Sequence, residues 1–321
     1  MKLNIIYTPG SVLSLGYFAL SFLEYSDFSL RLVSNGCSKA ELEYLNKIAT
    51  KSNRISVFVF PSKNMLLHGE VLDLLQQINK DRYFCFCDSD IFTNAALPSF
   101  EKIMTEINLG ALFTGLPIWL NDADRVTKPE YDIFFGTNDI LEGRGSIGNS
   151  YFAIYDNKAL NSILDHYEVG FLKATWEQLS DSAKNRIEGT GLKRKLYDTG
   201  KVINTLMITE KMKLENMDLE SLIHIGGFSI AVNMRDKRTT RKTVLRLTKS
   251  LCTPEEYHNK IKLREQYKIP VVNYFLSLIK ALSNSVETPN LPELDNEKIL
   301  SELSKAKISL IELFHKYGRA K

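Results

Sequence analysis

Tyr83-Phe84-Cys85-Phe86-Cys87-Asp88-Ser89-Asp90 runs five apolar residues straight into two carboxylates spaced i, i+2. A run that is apolar at every position reads as a strand buried on both faces, as in parallel sheets covered by helices. Just past the end of such a strand, two Asp side chains can converge on one hard cation, directly or through water. Carboxylate oxygens suit Mg²⁺ or Mn²⁺, which are typically held by one or two carboxylates plus substrate phosphates. Asp and Ser are also ordinary turn formers after a buried strand, and Asp-x-Asp is a common tripeptide, so the stretch alone leaves both readings open.

Outward from it, the first half of the chain alternates β-branched or aromatic runs with helical-period segments. Leu3 to Thr8, Phe28 to Ser34 and Ile55 to Phe60 read as further strands, while Val12 to Tyr25, Ala40 to Ala49 and Met65 to Asn79 carry apolar residues at spacings of three and four. Strand, helix, strand, repeated three times, predicts a parallel sheet with helices on both faces. Ligands of such open sheets bind beyond the carboxyl ends of the strands. That rule points to Thr8-Pro9-Gly10, to Ser34-Asn35-Gly36 and to the residues after Cys87.

The stretch from Gly110 to Gly227 is more mixed, with Gly-rich punctuation at Gly143-Arg144-Gly145 and Gly189-Thr190-Gly191. From Leu251 onward the pattern is helical. Thr253-Pro254-Glu255-Glu256 combines a capping box with Pro at the first helical position. Pro270 is expected to end that helix, Val271 to Leu282 to form a second, the Pro289–Pro292 segment to link, and Asn296 to Tyr317 to form a third.

Composition narrows the class. The 321 residues are 44% hydrophobic and 25% charged, which excludes disordered, collagenous and mucin-like chains. This length suggests one large domain plus a smaller one. The net charge is +3, but Arg235 to Ser250 holds seven Lys/Arg and one Asp, so that segment carries +6 and the remainder −3. Basicity this local argues against a general nucleic-acid binder. Cys37, Cys85, Cys87 and Cys252 are too scattered for a disulfide framework, and Cys85 and Cys87 lack a second pair for zinc. Ser11 to Leu23 has neither a basic region before it nor a small-residue cleavage site after it, and is too short to span a bilayer. A cytoplasmic location is expected.

Four further pieces accompany Asp88-Ser89-Asp90, and in this order the set resembles the GT-A glycosyltransferases, most closely the family 2-like enzymes, over roughly residues 1–230. Val33-Ser34-Asn35-Gly36-Cys37-Ser38 is similar to that family's Val-Asp-Asn-Gly-Ser segment near the donor base, with Ser34 and Cys37 in place of its Asp and Ser. A tight turn is the plain alternative. His68-Gly69-Glu70-Val71-Leu72-Asp73 looks like the His-Gly-x-Ala-Leu-Asn/Asp segment that approaches the donor, where a Gly lets helix N–H groups face an anion. His68 reads equally well as a solvated residue at a helix start.

Lys195-Leu196-Tyr197-Asp198-Thr199-Gly200 is similar to the Tyr-Asp-Thr-Gly segment. In inverting members an acidic residue near the following helix deprotonates the acceptor hydroxyl, and an N-cap is the alternative role for Asp198. Glu188 is the reserve candidate. Leu222-Ile223-His224-Ile225-Gly226-Gly227-Phe228-Ser229 resembles the segment closing the catalytic core, whose His supplies a third metal ligand in some members. A buried core histidine is the competing reading.

The resemblance implies a GT-A fold, which is a Rossmann-like α/β architecture with a mostly parallel central sheet and helices on both faces, here with a helical C-terminal region. Residues 1–234 would form the catalytic domain, with a nucleotide-sugar-binding half at 1–110 and an acceptor-binding half at 111–234. A basic linker and helical region would follow at 235–321. It implies a Mn²⁺ or Mg²⁺ ion on Asp88, Asp90 and His224. Donor contacts would come from Thr8, Pro9, Asn35, His68, Gly69, Asp88, Ser89, Asp90, Gly226 and Gly227. Phe134-Phe135-Gly136 and Asn149-Ser150-Tyr151 would line the acceptor side.

The implied activity is transfer of a sugar from a nucleotide-diphospho-sugar, preferably a UDP-sugar, to a hydroxyl of a glycan or lipid-linked glycan. Transfer would invert the configuration, with Asp198 as base. The alternatives are a nucleotidyltransferase-type Mg²⁺ enzyme, though Thr8-Pro9-Gly10-Ser11 lacks a basic Gly-rich phosphate loop, and a non-catalytic nucleotide-sugar-binding scaffold. No nucleic acid is expected as a partner. Arg235 to Lys249 reads either as a solvated linker face or as a peripheral contact with anionic lipid at the inner face of the membrane. Ile299, Leu303, Ala306, Leu310, Leu313 and Tyr317 repeat at seam spacing, which fits either packing on the chain itself or a homodimer through the C-terminal helix.

Overall fold

The computed structural model describes residues 1–61, 64–119, 139–141, 145–148, 150–228 and 264–317, together with Pro254 and Lys262. The strands are β1 (Lys2–Tyr7), β2 (Ser29–Ser34), β3 (Ile55–Val59), β4 (Tyr83–Asp88), β5 (Ile91–Thr93), β6 (Ala111–Thr114), β7 (Asp139–Leu141), β8 (Gly145–Ile147), β9 (Phe152–Asp156), β10 (Ala174–Thr175), β11 (Leu196–Tyr197), β12 (Leu214–Asn216) and β13 (Leu222–His224). Seven form one sheet in the order β12-β6-β9-β4-β1-β2-β3. All its pairings are parallel except those of β9, which runs antiparallel to both β4 and β6. The α/β class, the mostly parallel sheet and the helical C-terminal region are as expected.

Strand alternation divides the core in two. Leu3, Ile5 and Tyr7 of β1 share one cluster with Cys85 and Cys87, whereas Ile6 joins Phe84 and Phe86 in the other. Both sets are fully or almost fully buried, which is why β4 is apolar at every position. The helices over the two faces are α1 (Val12–Leu15), α2 (Phe18–Tyr25), α3 (Lys39–Ala49), α4 (His68–Gln77), α5 (Phe100–Glu106), α6 (Asn157–Tyr167), α7 (Asp181–Ile187), α8 (Lys201–Thr209), α9 (Ile269–Asn284) and α10 (Glu297–Tyr317).

Two helical expectations need correction. Val12 to Tyr25 is two helices, because the Tyr7 hydroxyl donates to the Gly16 carbonyl at 3.3 Å while Leu20 N–H bonds Tyr17 O instead. Gly16 packs so closely on α3 that a Cβ there would lie 2.8 Å from Ile48 Cδ1. Pro270 does not end a helix; it sits in the first turn of α9, directly after a π-helical turn at Arg264–Lys268. A first-turn position tolerates Pro because its N–H would have no intrahelical partner. Pro254 is helical, and the rest of the expected 253–256 helix start lies outside the described residues.

The seam of α10 is buried inside the chain's own core: Ile299, Leu303, Ala306, Leu310 and Leu313 share a cluster with β1, α2 and α9. Phe314 meets the Tyr17 ring edge-on at 4.2 Å. That face is therefore not available to a second copy, and a dimer through α10 would have to use its other side. Among the described residues no helix is long and apolar enough to cross a membrane. The basic stretch Arg235 to Lys249, Phe134-Phe135-Gly136 and Asn149 lie outside the described residues.

Candidate metal and donor site

β4 delivers Asp88 to the carboxyl edge of the sheet, and the two-residue turn Ser89–Asp90 leads directly into β5. β5 pairs antiparallel with β13 in a register that sets His224 opposite Ile91, so a residue far away in sequence arrives beside the two carboxylates. The backbone of His224 is fixed further by Ile118 N–H, which donates to its carbonyl at 3.0 Å.

The ligand atoms of Asp88, Asp90 and His224 all lie within 4.8 Å of one another. His224 Nε2 is 3.3 Å from Asp90 Oδ1 and 4.0 Å from Asp88 Oδ2. Its Nδ1 lies 2.6 Å from the Gly115 carbonyl. A carbonyl only accepts, so Nδ1 carries the proton and Nε2 faces the carboxylates. Nε2 is buried and has no aligned hydrogen-bond partner. The second oxygen of Asp90 accepts from Phe228 N–H at 2.9 Å.

Electrostatics follow from this crowding. Burial first, and the Asp90 charge second, push the Asp88 carboxyl up to about 7, against a pull downward from His224. Burial also works against ionising Asp90, but His224 and the Phe228 N–H outweigh it and hold that carboxyl below its usual range. Burial likewise opposes protonation of His224, and Asp90 and Asp88 overcome it, so its pKa is raised. Two carboxylates and an imidazole nitrogen with no aligned partner form a donor set that a divalent cation fits, and an imidazole oriented by a backbone carbonyl is how metal-binding His is commonly held.

The expected donor contacts occupy the same edge. β1 lies between β4 and β2, so Thr8 and Pro9 sit between Asp88 and Asn35. The Thr8–Ser11 turn closes through Ser11 Oγ–H donating to Thr8 O at 2.7 Å, and buried Glu41 accepts Gly10 N–H at 2.7 Å and Ser38 N–H at 2.8 Å. Asn35 is 2% exposed and spends its amide on Leu66, accepting from its N–H at 2.8 Å and donating to its carbonyl at 3.0 Å. Its side chain thus braces the segment leading into His68. Ser89 is buried in the turn between the two carboxylates.

His68 Nε2 is 3.9 Å from Asp88 Oδ1, buried and without a hydrogen-bond partner. Burial lowers its pKa to about 4, so the ring is neutral near pH 7. Gly69 is required by packing, since a Cβ there would lie 2.6 Å from Leu172 Cα. Gly226 and Gly227 have φ of +76° and +86°, a region that favours glycine.

Asp198 does not cap α8. The N-cap is Gly200, and Asp198 Oδ1 accepts from Thr199 N–H at 2.8 Å and pairs with Lys173 Nζ at 2.8 Å. It lies close enough to act electrostatically on His68 and Tyr151. Glu188 is exposed and paired with Lys193. The Tyr151 ring, expected on the acceptor side, packs against His224 at 4.8 Å with the ring planes tilted by 56°, and the Tyr151 carbonyl accepts Asp88 N–H at 2.8 Å. Gly115, Lys173 and Trp119 escape sequence reading. Gly115 follows a strand end and could have been suspected, whereas the other two carry no local signal.

No protein-family model matches the chain, and comparison with curated proteins finds no match. Solved structures similar in fold include the galactosyltransferase LgtC in complex with donor and acceptor sugar analogs, at 12% identity and TM-score 0.35, over 50% of this chain and 60% of that one. They also include an LgtC active-site mutant at 10% identity and TM-score 0.41, over 68% and 74%. A third is the bifunctional glycosyltransferase WbbM, at 11% identity and TM-score 0.40, over 68% and 39%. The chain thus spans 60% of the first of these proteins and 39% of WbbM.

Proposed function

We propose that the chain is a metal-dependent GT-A-type glycosyltransferase that moves a sugar from a nucleotide-diphospho-sugar, preferably a UDP-sugar, to a hydroxyl of a glycan or lipid-linked glycan. The observation that carries this reading is His224 Nε2, buried without an aligned partner, facing Asp88 and Asp90 at the carboxyl edge of the sheet. A turn-former role for the two Asp residues gives no reason for a buried imidazole to converge on both of them.

In this reading Asp88, Asp90 and His224 hold Mn²⁺ or Mg²⁺. Held there, such an ion would supply electrostatic stabilisation for negative charge on the leaving nucleoside diphosphate. Asn35 and Glu41 hold the loops at the ends of β1 and β2 on which the nucleotide lies. Neutral His68, beside Asp88, can donate or accept a hydrogen bond without adding charge. Asp198 is the proposed base: its Oδ1 is held by Lys173 and Thr199, so the acceptor proton goes to Oδ2 as the acceptor oxygen bonds to the anomeric carbon. The catalytic domain over 1–234 and its two halves belong to the same proposal.

The test is thermal stabilisation by a panel of nucleotide-sugars with and without Mn²⁺, on wild type and Asp90→Ala. A ligand that binds the folded state raises the melting temperature by mass action. The reading expects at least one nucleotide-sugar to stabilise wild type only with metal, and Asp90→Ala to lose the effect. A wild type indifferent to every nucleotide-sugar under every metal would overturn it.

A further inference from the structure

The glycine pair after His224 is covered by a residue from the C-terminal region. A Cβ built on Gly227 would come within 2.5 Å of Lys268 Cε and 2.8 Å of its Nζ, so this ammonium lies directly against the Gly227 backbone. It also stands over the Trp119 ring at 5.1 Å, and Trp119 Nε1–H donates to Gly226 O at 3.1 Å. The next N–H along, that of Phe228, is the one that holds Asp90. Lys268 ends the π-helical turn that feeds α9, and α9 is anchored in the core by Val271, Phe275 and Leu278. The backbone position of Lys268 is therefore set by the fold.

Charge balance gives it a task. Asp88 and Asp90 together cancel a divalent ion, so a nucleoside diphosphate entering the site brings uncompensated negative charge. A lysine ammonium is a compact point charge with three donors on a flexible stem, suited to phosphate oxygens.

We propose that Lys268, delivered by the C-terminal helical region across Gly226–Gly227, is a diphosphate-binding cation of this site. This rests on the nucleotide-sugar reading above. The stem fills the space that Gly227 leaves open, and the ammonium meets diphosphate oxygens on the Gly226–Gly227 side of the metal position.

Calorimetric titration of the full chain with Mn²⁺ alone, and then with inorganic pyrophosphate, UDP and GDP in saturating Mn²⁺, separates the outcomes. The variants are Lys268→Met, which keeps the stem without the charge, and Lys268→Arg, which keeps the charge. The expected result is Mn²⁺ affinity within about twofold of wild type in both. Lys268→Met should weaken diphosphate binding roughly tenfold to a hundredfold, and Lys268→Arg should retain most of it. Wild-type diphosphate affinity in Lys268→Met would overturn the proposal, as would parallel loss of Mn²⁺ and diphosphate binding, which would mark a packing role. If wild type binds Mn²⁺ but no diphosphate, the nucleotide-sugar reading falls as well.

Discussion

Asp88→Asn should make the metal-free protein more stable above neutral pH while removing its response to metal. In the metal-free site, burial and then the Asp90 charge raise the Asp88 carboxyl from 3.8 to about 7. A carboxyl whose pKa is higher folded than unfolded binds its proton more tightly in the native state. Its stabilising contribution is complete below ~pH 4 and is lost as pH rises through 7. A difference of about three pH units corresponds to ~4 kcal/mol. Because 33% of the Asp88 side chain is exposed, solvent screening reduces this to about 1–2 kcal/mol. Asn carries no charge at any of these pH values and escapes the loss.

Urea denaturation in EDTA at pH 5 and pH 8 reads the effect. The stability of Asp88→Asn relative to wild type should grow by about 1 kcal/mol between the two, equivalent to about 2 °C in melting temperature for a chain of this size. Adding Mn²⁺ at pH 8 should raise the wild-type midpoint and leave that of the variant unchanged. An Asp88→Asn protein less stable than wild type at pH 8 in EDTA, or with the wild-type pH dependence, would refute the idea that the two carboxylates strain the metal-free site.

Asn35→Ala strands both the N–H and the carbonyl of Leu66 beside a buried position, and should cost about 2–3 kcal/mol in urea denaturation; a loss below ~0.5 kcal/mol would mean that the Leu66 segment finds other partners. Gly227→Ala puts a side chain at φ +86° and into Lys268. It should destabilise by about 1–2 kcal/mol and weaken Mn²⁺ binding through the shifted Phe228 N–H, with calorimetry as the check. Asp198→Asn should slow sugar transfer by roughly 10²–10⁴-fold with nucleotide-sugar affinity unchanged; an equal fall in donor affinity would move Asp198 out of the role of base.

How much of this was legible depended on whether the signal was local. The parallel sheet could be read because β4 feeds two cores from alternate residues, and only a doubly covered strand has use for Phe84 and Phe86 on one side and Cys85 and Cys87 on the other. Asp88 and Asp90 were visible for the same reason: they sit where that apolar run ends. His224 could be placed with them only through a resemblance in segment order, since its approach depends on the pairing of two three-residue strands. The roles of Asn35 and Gly69 were not visible at all, because a turn and a brace use the same dipeptide and a glycine looks alike whether an anion or Leu172 comes near. Lys268 marks the limit. Nothing in its neighbours distinguishes it from other lysines of the C-terminal region, and its place over Gly227 follows from Pro270 starting α9 where sequence reasoning had a helix end. The same misreading that blurred the C-terminal helices hid the residue that joins them to the site.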